Sequence, residues 1–176
     1  MGIFGFAHPA GVWQVVLVNK ETLVQEIIAV LATQMDAYTR AARDAYAAAT
    51  DPGSRAENKY DTRSLESSYL ARGQAIRVAE TEESLVTYRS MRCRPFGEEE
   101  PAALGALVQL SGPEGNSFYF LGPSAGGTEV MHEGSEVLVI TPSSPLGQLL
   151  VGKKKGQEIL MPGARAPQKS KVVAVV

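Results

Sequence analysis

A chain of 176 residues, 44% apolar and 20% charged, has enough material for one ordinary domain or for a small domain carrying an extended element; its patterning fits the second division better. A net charge of -2 gives no reason to expect a nucleic-acid surface over the whole molecule, although a local basic patch is compatible with it. The single cysteine, Cys93, excludes an internal disulfide, and His8 and His132 lack zinc-ligand spacing, so a reduced, cytoplasmic chain without structural metal is expected.

The segment 1–18 has no periodicity joining it to the residues after it. Its apolar run, 11–18, is too short to span a bilayer, and no basic residue precedes it because the first lysine is Lys20. It reads as a tail or an isolated strand, with a translation start at Val18 as a sharper alternative.

From Asn19 the pattern becomes helical. Asn19 suits an N-cap and Glu21 suits the first turn, where a negative charge meets the positive end of the helix dipole. Leu23, Ile27, Val30, Gln34, Ala37, Ala41 and Ala48 follow a three-four spacing, which predicts a packing seam that thins toward alanine. The alanine-rich run 41–49 has the high intrinsic propensity that a poorly buried helix needs.

A Pro-Gly turn, Asp51-Pro52-Gly53-Ser54, interrupts the pattern, and helical character then resumes to about Arg92. Leu65, Tyr69, Ile76, Ala79 and Val86 predict one apolar face, widened by Ala71, Ala75, Val78 and Leu85. Two helices of roughly 30 residues, each on the order of 45 Å long, are too long for the inside of so small a globule. The short turn predicts an antiparallel coiled-coil hairpin over 19–94 with its tip at 50–57.

Arg94-Pro95 stops the second helix, and the run 97–101 reads as a polar linker with Glu98, Glu99 and Glu100 solvated. Strand-like runs come next at 106–110, 118–121, 136–140, 158–161 and 172–176, with a short helix after Pro145 that closes at Gly152. Phe118, Tyr119 and Phe120 read as sheet core and edge. The fold class is therefore α+β: a helical hairpin, then over 95–176 a small antiparallel sheet carrying one short helix.

Two motifs carry a resemblance. Ala56-Glu57-Asn58-Lys59-Tyr60 resembles the Ser-Glu-Asn-x-x-Tyr signature of the bacterial Gre transcript-cleavage factors, with the tyrosine one place early. The stretch Ile140-Thr141-Pro142-Ser143-Ser144-Pro145-Leu146-Gly147, followed by Leu150, Gly152-Lys153 and Gly156-Gln157, is similar to that family's Val-Asn-Ser-Pro-Ile-(Ala/Gly)-x-x-Leu-x-Gly-Lys-x-x-Gly-Asp. The resemblance covers about 19–176. It implies an FKBP-like C-terminal domain that docks on RNA polymerase through Ser144, Pro145, Leu146 and Gly147, and a hairpin that enters the polymerase secondary channel.

It also implies that tip acids help the polymerase hold a second Mg2+ and cleave its own backtracked RNA, so that the chain is a polymerase cofactor and not itself an enzyme. Two hard oxygen ligands held together compete with the water shell of Mg2+, which one carboxylate does poorly. Glu57 matches the family's glutamate; the family's other acid lies three residues earlier, where this chain has Ser54, leaving Asp51 or Asp61 as substitutes. The same residues also fit plain capping, with Ser54 and Glu57 forming a capping box and Asp51 preceding a proline at the first helical position. Around the tip, Arg40, Arg43 and Arg55, with Lys59 and Arg63, form either a basic flank for backtracked RNA or a solvated helix face.

Within the Gre-like reading the chain is either a cleavage stimulator or a non-cleaving occupant of the channel. The rival classes are a peptidyl-prolyl isomerase, since FKBP-like folds can carry that activity, and a dimerisation rod, which the alanine-rich seam disfavours. Ser144 to Gly147 are equally read as the turn and helix start that the fold requires.

Overall fold

A computed structural model describes residues 19–50, 63–161 and 167–176. The segment 1–18 and the tip, including Asp51, Arg55, Glu57, Lys59 and Asp61, lie outside the described residues.

Helix α1 (Lys20–Thr50) and helix α2 (Arg63–Ser90) contain 31 and 28 residues. Asn19 caps α1 as expected, its Oδ1 accepting the Thr22 N–H at 3.2 Å. The helices run antiparallel: Cys93, just beyond α2, reaches the Lys20 carbonyl at one end, while Ala49 and Thr50 share a groove with Ser68 at the other.

The seam between them departs from the expected one in both helices. In α1 the inward line runs Leu23, Ile27, Leu31, Tyr38, Ala45 and Ala49, whereas Ala37 and Ala48 are exposed. A strict three-four repeat averages 3.5 residues, and a straight helix at 3.6 drifts from it by about 20° per heptad. In α2 the inward line is Ala71, Val78, Thr81, Leu85 and Tyr88, while Leu65, Tyr69, Ile76 and Val86 face outward. Toward the tip the inward residues are small, Ala71 with Ala45 and Ala49 of α1, which lets the two backbones approach, whereas at the base they are large, Leu85 and Tyr88. Thr81 fits there by donating its hydroxyl to the Arg77 carbonyl at 2.7 Å.

Six strands complete the chain: β1 (Leu107–Gly112), β2 (Gly115–Leu121), β3 (Glu129–His132), β4 (Ser135–Ile140), β5 (Glu158–Met161) and β6 (Gln168–Val175), with helix α3 (Pro145–Leu150) between β4 and β5. The sheet order is β3-β4-β2-β1-β6-β5. Neighbours are antiparallel except β2 and β4, which pair in parallel with Phe118 beside Val137 and Phe120 beside Val139, so the sheet is mixed and not wholly antiparallel. The strand that the sequence pattern does not reveal is β3, four residues too short to show alternation on its own. It is held by a tight hairpin in which Glu133 and Gly134 both have positive φ, 49° and 78°, as a primed two-residue turn requires.

Alternation along each strand divides the core in two. Phe120, Val137 and Val139 point to the face covered by the base of the hairpin, against Leu23, Ile27, Leu85 and Tyr88. Leu121, Ile140 and Val108 point to the other face, which Leu150 of α3 and Ala102 and Ala106, ahead of β1, cover. Phe118, Tyr119 and Phe120 thus serve the two cores. The hairpin base and the sheet fold as one packed unit, and the distal half of the hairpin projects beyond it.

The seam register is testable with two adjacent residues of α2. Leu85→Ala removes a side chain that is 2% exposed and is expected to cost about 2–5 kcal/mol in urea unfolding. Val86→Ala, at a position 61% exposed, should stay within about 0.5 kcal/mol. The reverse ranking would place Val86, and not Leu85, in the seam.

Candidate functional site

The projecting half of the hairpin is built from small residues. Beyond Leu31, Ala45 is the one buried residue of α1, and past Tyr38 the inward residues of that helix are alanines. The result is a slim rod with a shallow groove of about 560 Å3 along one side. Ala42, Ala49, Ala71 and Ala75 form its floor, and Arg43, Tyr46 and Arg72 stand around it. Tyr46 is 66% exposed, an aromatic ring left available at the rim.

Of the basic residues singled out in the sequence, Arg40 and Arg43 lie one turn apart on α1 and both are exposed, but only Arg43 lines the groove. Arg72 joins Arg43 from the opposite helix. Sequence reasoning missed Arg72 because it falls well past the turn, and the antiparallel pairing is what returns it to α1. Arg77, further down α2, is used internally, its guanidinium lying 5.5 Å from the centre of the Tyr38 ring.

In the sheet domain, each residue of the segment expected to dock has a structural account. Ser144 caps α3, its Oγ accepting the Gly147 N–H at 3.0 Å while donating to the Thr141 carbonyl at 2.7 Å. Gly147 is fixed by contact: a Cβ there would lie 1.9 Å from the Thr141 oxygen. Leu146 packs against the core on the α3 side of the sheet. Pro145 starts α3 at its first turn and is the exposed residue of the four.

Three long-range polar contacts fix how the rod leaves the sheet. Lys20 is 8% exposed, and its ammonium donates to the carbonyls of Arg94 and Gly105, the second at 3.3 Å. It also sits 4.5 Å from the centre of the Phe96 ring, which the Arg94 guanidinium covers at 4.0 Å. Burial lowers the Lys20 pKa below the usual lysine range, and burial also pushes the Cys93 thiol beside it upward. Glu100 closes the linker, its carboxylate accepting the Gly97 N–H at 3.1 Å and pairing with Arg94. The Gly97 hydrogen bond, then that of Arg94, hold its pKa below the ordinary glutamate value. Glu100 is therefore a clasp, whereas Glu98 and Glu99 are exposed as expected.

The second contact joins Glu26 of α1 to buried His132 of β3, Oε2 to Nδ1 at 2.7 Å. A carboxylate accepts, so Nδ1 carries the proton. Third, the Tyr88 hydroxyl donates to the Ser124 carbonyl at 3.0 Å, and burial pushes its phenol well above the usual range. One sequence signal for Lys20 exists: a basic residue at a helix start opposes the dipole preference, which suggests another reason for its presence.

Among the described residues no group of three or more histidine, cysteine, aspartate or glutamate side chains is placed to hold a metal, and no described helix is long and apolar enough to cross a membrane.

No protein-family model matches the chain, and no curated protein sequence matches it. Several solved structures resemble it at low identity, among them three of Gfh1. GreA factor homolog 1 (Gfh1) of Thermus thermophilus is 16% identical over 85% of this chain and 94% of its own, with a TM-score of 0.36. A second structure, titled as the transcription factor Gfh1, is 19% identical over 84% of this chain and 92% of its own, with a TM-score of 0.37. Thermus aquaticus Gfh1 is 18% identical over 82% and 90%, also with a TM-score of 0.37.

Two predictions concern the joint. Lys20→Met keeps the apolar stem but strips the donor from two carbonyls, and is expected to cost about 1–3 kcal/mol in urea unfolding. For Glu100 the folded pKa lies below the unfolded one, so its contribution is present above the ordinary value of 4.5 and lost as pH falls through the folded value. Glu100→Gln should accordingly flatten the acid side of the stability profile below pH 4.5 and lower stability at neutral pH. An unchanged acid limb would show that the clasp does not couple to folding.

Proposed function

We propose that the chain is a Gre-like regulator of transcription, which binds RNA polymerase and inserts its hairpin into the secondary channel. The observation that carries the reading is the rod itself: two helices anchored at one end in the sheet core and left at the other with Ala45 the one buried residue among those described. A rod of this kind suits reaching into a narrow passage. The resemblance of the motifs around Glu57 and Ser144 to those of the Gre factors supports that destination.

In this reading the chain brings no catalytic power of its own. Any RNA hydrolysis belongs to the polymerase and its Mg2+, with Glu57, joined by Asp51 or Asp61, contributing carboxylates near the reacting centre. Arg40 and Arg43, together with Arg55 toward the tip, hold backtracked RNA, and the groove suits the same ligand. Guanidiniums on both helices pair with phosphates, and an exposed tyrosine at the rim offers a stacking surface to a base. Docking on the polymerase falls to Pro145 and its surroundings.

The departure at Ser54, where the family has an acid, favours a second version in which the chain occupies the channel without stimulating cleavage and modulates initiation or pausing. The peptidyl-prolyl isomerase reading is weakened by the packing of Phe118 and Phe120, which the hairpin base covers.

A backtracked polymerase complex separates these. Rapid cleavage of the RNA 3′ end that disappears with Glu57→Gln is expected of a stimulator; absence of cleavage, with competition against another channel-binding factor, is expected of the second version. Arg40→Glu with Arg43→Glu should weaken cross-linking to backtracked RNA and leave what remains less sensitive to salt. No association with polymerase under either condition would remove both versions.

A further inference from the structure

The outward face of α2 carries a second heptad pattern that the fold leaves unused. Leu65, Tyr69, Ile76 and Val86 are 52, 66, 51 and 61% exposed. With Ala79, Glu83 and Ser90, and with Arg72 at the edge where this side meets the groove shared with α1, they fill successive a and d positions along α2, and all eight are exposed. The seam runs about 38 Å at 1.5 Å per residue. Among the described residues neither Arg72 nor Glu83 has an ion-pair partner within the chain.

We propose that a second copy of this chain covers this face, α2 against α2 in an antiparallel pairing. One register makes the pattern self-complementary. When Ile76 faces Ala79 of the other copy, Tyr69 faces Val86, Leu65 faces Ser90, and Arg72 faces Glu83. The two-fold axis repeats every layer, so both charged positions of each helix meet opposite charges. A parallel pairing in register would instead set Arg72 against Arg72 and Glu83 against Glu83, like charges inside a seam. The antiparallel arrangement is thereby selected.

The flanks agree with it. Glu80 comes beside Gly73 of the other copy and Glu82 beside Ala75, so no like-charge pair opposes the contact. Gly73 is otherwise unexplained: a mid-helix glycine costs about 1 kcal/mol relative to alanine, and nothing in the chain lies within 4 Å of where its Cβ would be. Beside the proposed seam it lets a second backbone approach.

The pairing and its test stand apart from the polymerase reading. Sedimentation equilibrium of the full chain over low to high micromolar concentration should show a monomer–dimer equilibrium. Arg72→Glu alone, or Glu83→Arg alone, should weaken self-association by roughly tenfold or more, because each puts like charges into two layers. Mixing the two variants should restore association, since every charged layer of the mixed pair is again complementary. Circular dichroism of each variant checks that these exposed substitutions leave the helices intact. A monomer at all concentrations would overturn the proposal, as would a dimer indifferent to both reversals, or reversed variants that fail to associate when mixed.

Discussion

The burial of the hairpin base in the sheet is the constraint on which the rest of the molecule depends. Two antiparallel helices joined at one end gain little from each other where the contacts are alanine on alanine, because so small a seam removes little apolar area from water. The distal half of this hairpin is in that position, with Ala45 its one buried residue in α1. What keeps it helical is intrinsic propensity together with the fixed end, where Leu23, Ile27, Leu85 and Tyr88 pack on Phe120, Val137 and Val139. Nucleation, the costly step of helix formation, is thereby supplied by the sheet.

That arrangement produces a gradient along the rod. Local opening is cheapest where buried contacts are fewest, so the part that would reach a partner is also the part most easily reshaped. The polar joint works against this at the other end. The Lys20 ammonium on the Arg94 and Gly105 carbonyls, the Glu26–His132 pair and the Tyr88–Ser124 bond each tie the rod to the sheet or to the segment leading into it. Directional bonds fix an angle that apolar packing alone leaves softer, and a long rod magnifies any error in that angle at its tip.

How much of this was legible in the sequence depends on range. Local chemistry was: the Asn19 cap and the Ser144-Pro145 helix start arise from residues within one turn of each other, and the structure has both. The α+β organisation was legible too, because the period of the apolar pattern changes at the linker. The face of α2 was not, since it has two apolar lines and the bulkier one, Leu65, Tyr69, Ile76 and Val86, lies outside. Side-chain size says which face is more hydrophobic, not which one a neighbouring backbone can approach, and Ala71, Thr81 and Ser84 decide the latter. At the candidate site, Arg72 and the contacts of Lys20 and His132 depend on partners brought together by the fold, as far as 106 residues apart for His132 and Glu26.

The two faces of α2 have a joint consequence for how the hairpin can be used. Arg72 stands at the border between them, lining the groove shared with α1 while occupying a d position of the outward seam. A copy of the chain paired along that seam draws Arg72 toward Glu83 and sets the distal end of each hairpin beside the base of the other. A ligand in the groove instead holds the same guanidinium on the α1 side. One side chain cannot satisfy both, and two hairpins side by side are wider than the single rod that suits a narrow passage. Self-association and use of the free hairpin are therefore alternatives, and their balance is set by protein concentration against the concentration of whatever engages the rod.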